Sequence, residues 1–122
     1  MGISERVNAL LGVLNNSITR EQEIALVNRF VSQCLKYLDI VVNQVFVSQL
    51  LLHNDSLECR QELARMDEKR SRIHDSLIAQ LGAVNRLCSK YEVEPLYEGS
   101  KDRREIGNFA MELIYEYFQA RN

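Results

Sequence analysis

Two histidines and three cysteines carry most of the reactive potential in this 122-residue chain, and their spacing limits what they can do together. His74 precedes Asp75, a pairing used in hydrolytic metal centres, but such a centre needs further His or Asp ligands converging on the ion. His53 stands at the end of a helix-like stretch, where a partial positive charge is favourable. A cysteine nucleophile needs a base within reach. Cys88 lies four helical turns beyond His74, about 21 Å by the standard rise, so the two cannot meet within one helix. Cys34, Cys59 and Cys88 form no C-x-x-C pair and each falls in a helix-like stretch, so they read as reduced, small hydrophobes. No glycine cluster offers a phosphate loop. The residues therefore assign no catalytic group, no metal and no cofactor, and the expectation is a protein that is not an enzyme.

The charged residues lead to the same place. Carboxylate neighbours such as Glu21/Glu23 and Asp67/Glu68 lack the repeated acidic spacing of a helical magnesium site and read as solvated helix surface. Arg65, Lys69 and Arg72 share a helix face with Arg70 beside them, but Glu62, Asp67 and Glu68 are interleaved. Pairing at i,i+4 explains that stripe better than phosphate contacts do. A net charge of −2 adds no global attraction for nucleic acid or anionic lipid.

The elements are helices. A first helix over about 4–14 has Ser4 as its cap and Val7, Leu10, Leu11 and Leu14 on one face; a turn over Asn15, Asn16 and Ser17 follows. Thr19 with Gln22 gives capping-box spacing for the second. Its seam runs Ile24, Val27, Val31, Cys34, Leu38, Val41, Val45, Leu52, beside a second stripe of Leu26, Phe30, Tyr37, Ile40, Val47 and Leu51. His53, Asn54 and Asp55 make the break, with Asp55 capping a third helix and Glu58 completing its box. That helix runs to about Tyr91; nine of its fifteen residues over 58–72 are charged, whereas Ile73, Leu77, Leu81, Val84 and Cys88 form a plain apolar face. After a loop over 92–99 and a cap at Ser100, a last helix over 101–120 packs through Ile106, Phe109, Leu113 and Ile114. The fold class is all-α: one domain over 1–122, a helical bundle built on a long antiparallel hairpin, with a short N-terminal and a C-terminal helix.

Lengths then locate an excess. The second and third helices are each about 50 Å long, the last about 30 Å and the first about 16 Å. Both short helices join the hairpin at its open end and leave the tip uncovered. There Ile40, Val42, Phe46, Val47, Leu50 and Leu51 exceed what one antiparallel neighbour can bury. An uncovered apolar surface of that extent marks an interface, and a twofold homodimer is the simplest cover. The competing solution is a break in the third helix near Asp67 that folds the chain over its own apolar face. The apolar stretch over 38–52 is shorter than the roughly 20 residues a bilayer span needs and is interrupted by Asp39, Asn43, Gln44, Ser48 and Gln49. With no signal-peptide pattern at the start, the expected location is cytoplasmic, without a membrane.

The stretch over 91–109 is the other informative segment. Tyr91, Pro95, Tyr97 and Gly99 shape an ordered loop. Lys101, Arg103 and Arg104 open a helix where the dipole disfavours cations, so they need carboxylate partners such as Asp75. A structural clasp between loop and third helix is preferred; a small-molecule or peptide pocket lined by His74, Asn85, Tyr97 and Arg103 is the alternative.

His74-Asp75, Leu77-Ile78, Asn85-Arg86-Leu87-Cys88, Tyr91, Pro95-Leu96-Tyr97-Glu98-Gly99, Asp102-Arg103, Ile106 and Phe109 together resemble an uncharacterised bacterial all-helical family, a domain of unknown function, over about residues 70–121. The resemblance implies an all-helical bacterial protein and brings no activity with it. The expected function is a non-enzymatic interaction or regulatory module that self-associates through Ile40, Phe46, Val47, Leu50 and Leu51. A sensing domain using the loop corner comes second, and a nucleic-acid-associated role third.

Overall fold

The structure, a computed structural model, describes residues 2–15, 20–99 and 102–121, with the side chains of 120 and 121 excepted. It contains four helices: α1 (Ile3–Leu14), α2 (Glu21–His53), α3 (Leu57–Lys90) and α4 (Arg103–Arg121). No strand occurs among the described residues. The all-helical bundle on a long α2–α3 hairpin is as the periodicity predicts. The expected caps at Thr19 and Ser100, the turn residues Asn16 and Ser17, and the helix start at Lys101 lie outside the described residues.

The third helix is unbroken. Asp67 sits inside a continuous 34-residue α3, which removes the folded-back alternative. Nothing in the run over 58–72 interrupts a helix, because it holds neither proline nor glycine and its charges of both signs pair along the surface. Arg65 pairs with Glu62 at 2.6 Å, and Arg72 with Glu68 at 2.6 Å, at the i,i+3 and i,i+4 spacings that support an exposed helix.

Two caps differ from the sequence expectation. At α3 the cap is Ser56, whose hydroxyl accepts from the Cys59 amide at 3.2 Å. Asp55 is drawn off by the Arg60 guanidinium, 2.7 Å from Nε, and that pairing holds its carboxyl below the usual range. At α1 the helix starts before Ser4: Gly2 occupies the cap position and makes no side-chain cap bond. The first amides are served from across the molecule, with Ile3 N donating to both oxygens of Glu116 at 3.1 Å and Ser4 N at 3.4 Å. A carboxylate there also meets the positive end of the helix dipole. Glu116 thus ties α1 to α4.

At the far end, α3 closes in a Schellman motif. Val93 N donates to the Cys88 carbonyl at 2.9 Å and Glu92 N to the Ser89 carbonyl at 3.3 Å, with Glu92 at φ 57° in the left-handed position glycine usually takes.

The core lies at the open end of the hairpin. Val7, Leu10 and Leu14 of α1, Val27, Phe30, Cys34 and Tyr37 of α2, Leu77, Val84 and Cys88 of α3, Leu96 of the loop, and Ile106, Ala110 and Leu113 of α4 are all buried. On α2 the buried line is therefore 27, 30, 34, 37, which differs in phase from the seam expected from sequence. Val45 and Leu52, assigned to that seam, stand 55% and 85% exposed. The large rings of Phe30 and Tyr37 set the rotation of α2: Phe30 meets Phe109 with centroids 6.3 Å apart.

Candidate functional site

Two places hold the candidate residues, the junction where α4 meets the hairpin and the arm beyond it.

At the junction, His74 is 5% exposed and lies edge-on to Tyr37, ring centroids 4.7 Å apart. Its Nδ1 is buried without a hydrogen-bond partner. Arg70 donates to the Tyr37 hydroxyl and to Gln44 Oε1, each at 3.0 Å, and Gln44 in turn donates to Asp67. Arg103, at the start of α4, reaches Ser71 at 3.2 Å and Asp75 at 3.3 Å. The Asp75 pairing is thus the one its unfavourable place in the first turn predicts. Asp102 adds the local cap, accepting from Arg104 N at 2.8 Å.

Burial lowers the His74 pKa from its ordinary 6.5, the Arg70 and Arg103 charges lower it further, and Asp75 opposes them. The imidazole is thus neutral at pH 7. Because the unfolded chain takes the proton first, the His74 contribution to stability is complete above pH 6.5. It is lost as the pH falls from there through the depressed folded value. Urea unfolding at pH 7.5 and 5.5 checks this: the native chain loses stability at the lower pH, and His74→Phe loses less. Equal losses in the two proteins would exclude His74 as the source.

Asn85 and Tyr97 form a second cluster. Asn85 Nδ2 donates to the Tyr97 carbonyl at 2.9 Å, and Asn85 Oδ1 accepts from Leu96 N at 3.0 Å. The Tyr97 ring leans on Phe109 at 4.9 Å, and its hydroxyl bonds Glu105 at 3.3 Å. A cleft of about 180 Å³ beside Asn85 and Tyr97 is lined by Ile78, Gly82 and Ile106, and another of about 410 Å³ by Arg6, Tyr97, Glu105 and Glu112. Neither His74 nor Arg103 lines either one, so the four residues grouped in the sequence divide into two pairs.

Two of the three thiols are quiet. Burial pushes Cys34 up to about 12 and raises Cys88, so both stay protonated. Among the described residues no three His, Cys, Asp or Glu side chains converge as a metal site would require.

The arm consists of residues 38–73, and none of them is buried. The buried set stops at Tyr37 on α2 and resumes at His74 on α3, the level where α4 begins. Ile40, Val47 and Leu51 are half-buried on the same face as Gln44, turned toward α3. Phe46 and Leu50 are 63% and 46% exposed, joined by Val42, Val45, Leu52 and, from α3, Leu57. The proposed interface residues therefore fall on two faces. Leu35, Val45, Leu52 and Leu57 complete the exposed surface and were not assigned to it from sequence. Their signal was the correct helix phase, which Phe30 and Tyr37 set. By length and composition α2 also qualifies as a membrane-crossing helix, with an 18-residue window of mean hydropathy 1.3, only 6% of it buried.

Neither a curated protein nor a solved structure matches this chain. A family model does, over residues 4–122, taking in the N-terminal half as well as the stretch whose residues carry the resemblance. The chain belongs to the family described as a protein of unknown function (DUF3232).

Proposed function

We propose that the protein is a non-enzymatic interaction module that self-associates through the exposed apolar face of its α2–α3 arm. The observation that carries this reading is the run of 36 residues, 38–73, without one buried side chain, although it contains Val42, Val45, Phe46, Leu50 and Leu52. Burying a side chain such as Phe or Leu contributes about 1.5–3 kcal/mol. A folded chain that leaves several such groups exposed has a strong drive to cover them. A bilayer would be a poor cover. α3 lies alongside α2 for the whole length of the arm and would carry nine charges of 58–72 into hydrocarbon. The Asn85 amide is occupied on both sides by the loop backbone, which supports the clasp over the pocket.

The test is sedimentation combined with Phe46→Glu. Phe46 is already 63% exposed, so a glutamate there leaves the isolated protomer folded, with unchanged helicity by circular dichroism. The native chain sediments as a dimer at micromolar concentration, and the variant as a monomer, because an unpaired charge is costly to bury. A native chain that stays monomeric at about 100 μM, where a dimer of micromolar Kd is nearly fully formed, would sink the reading.

A further inference from the structure

We infer that the second copy lies antiparallel along an exposed flank of α2, with the tip of each arm seated in a groove at the root of the other. This rests on the self-association proposed above and adds its geometry.

The first support is a second heptad seam. Leu35, Leu38, Val42, Val45, Gln49 and Leu52 follow one another at steps of 3, 4, 3, 4 and 3, on a face of α2 beside its contact with α3, where Val45, Gln49 and Leu52 border a cleft shared with Arg70. Leu38 is half-buried and the rest are exposed. Such spacing is symmetric about a point between residues 43 and 44. A twofold axis there sets Leu35 opposite Leu52, Leu38 opposite Gln49, and Val42 opposite Val45, so that every seam position meets a seam position, with Phe46, four residues on from Val42, flanking the seam at its edge.

The ends match as well. At the root, Leu35 borders a groove of about 440 Å³ between α1, α2 and α4, lined also by Leu11, Val31, Ile114, Tyr117 and Phe118. At the tip, Leu52 and Leu57 project 85% and 71% exposed. The seam from Leu35 to Leu52 spans about 26 Å, so antiparallel pairing at that axis brings each tip to the partner's groove.

Charge selects the direction. Near the tip, Asp55, Glu58 and Glu62 outnumber Arg60; toward the root, Arg65, Lys69, Arg70 and Arg72 outnumber Asp67 and Glu68. Antiparallel arms run each acidic tip toward a basic root, whereas parallel arms run like charge toward like.

A nitroxide at Asn54→Cys, in a chain with Cys59→Ser, reads the direction by dipolar spectroscopy. Cys34 and Cys88 are buried and do not take the label. Antiparallel arms separate the two labels by about 30–40 Å, and parallel arms by under about 20 Å. Phe118→Glu, at a position 51% exposed in the protomer, weakens dimerisation at least about tenfold if the tip fills the groove. A dimer with the short distance overturns the antiparallel arrangement and leaves self-association standing. A long distance with an unaffected Phe118→Glu dimer overturns the groove seating. A native chain that stays monomeric, whether or not it binds anionic vesicles, overturns the self-association reading together with this one.

Discussion

Asn85→Ala lowers the unfolding free energy by about 2–4 kcal/mol while leaving assembly unchanged, because it strands two backbone groups at once. The Leu96 amide donates to Asn85 Oδ1 at 3.0 Å and the Tyr97 carbonyl accepts from Asn85 Nδ2 at 2.9 Å. Leu96 is fully buried, so its amide has no access to water unless the loop lifts off. Asn85→Asp is no remedy: its carboxylate still accepts from Leu96 but faces the Tyr97 carbonyl, two acceptors with no proton between them. Urea denaturation gives the shift in midpoint, and amide exchange at Leu96 shows whether the loss is local. A change below about 0.5 kcal/mol in both variants, the range of ordinary surface substitutions, would mean that the clasp contributes nothing and that Asn85 is free for a ligand.

The parts of this molecule that follow from local rules were legible in the sequence, and the parts set by long-range contact were not. Helix content and the hairpin follow from periodicity and from the break at His53–Asp55, because each is decided within a few residues. Arg103 was legible for a related reason: a cation in a first helical turn is locally wrong, and Asp75 answers it. The phase of α2 was misread because two apolar stripes run side by side. Only the fit of Phe30 against Phe109 and of Tyr37 against His74 decides which faces inward. The cap of α1 was misread for the same reason. Ser4 is a good local cap, but Glu116, distant in sequence, reaches the helix end first. The loss of Asp55 to Arg60 is subtler, since Ser56 and Asp55 are equally good caps and a five-residue ion pair breaks the tie.

Gly107 gave no signal of its own in the sequence, yet it governs the junction. A Cβ at this position would stand 3.0 Å from Tyr37 Cζ and 3.2 Å from His74 Cε1, and closer still to the Tyr37 hydroxyl. Neither neighbour can withdraw easily. Tyr37 is 1% exposed and its hydroxyl is held by Arg70, while His74 is wedged against the same ring. In an open helix, alanine for glycine gains about 1 kcal/mol. Here the overlap reverses the sign, and Gly107→Ala destabilises by about 1–3 kcal/mol. Tyr37→Phe removes the closest atom, so the double variant recovers part of the loss. The cycle of single and double variants then shows a coupling of about 1 kcal/mol or more, as expected for side chains in contact. If Gly107→Ala raised the melting temperature, or if the cycle were additive, α4 would not be seated on Tyr37 and His74 as closely as this geometry requires. The junction that separates buried core from exposed arm would then have to be placed elsewhere.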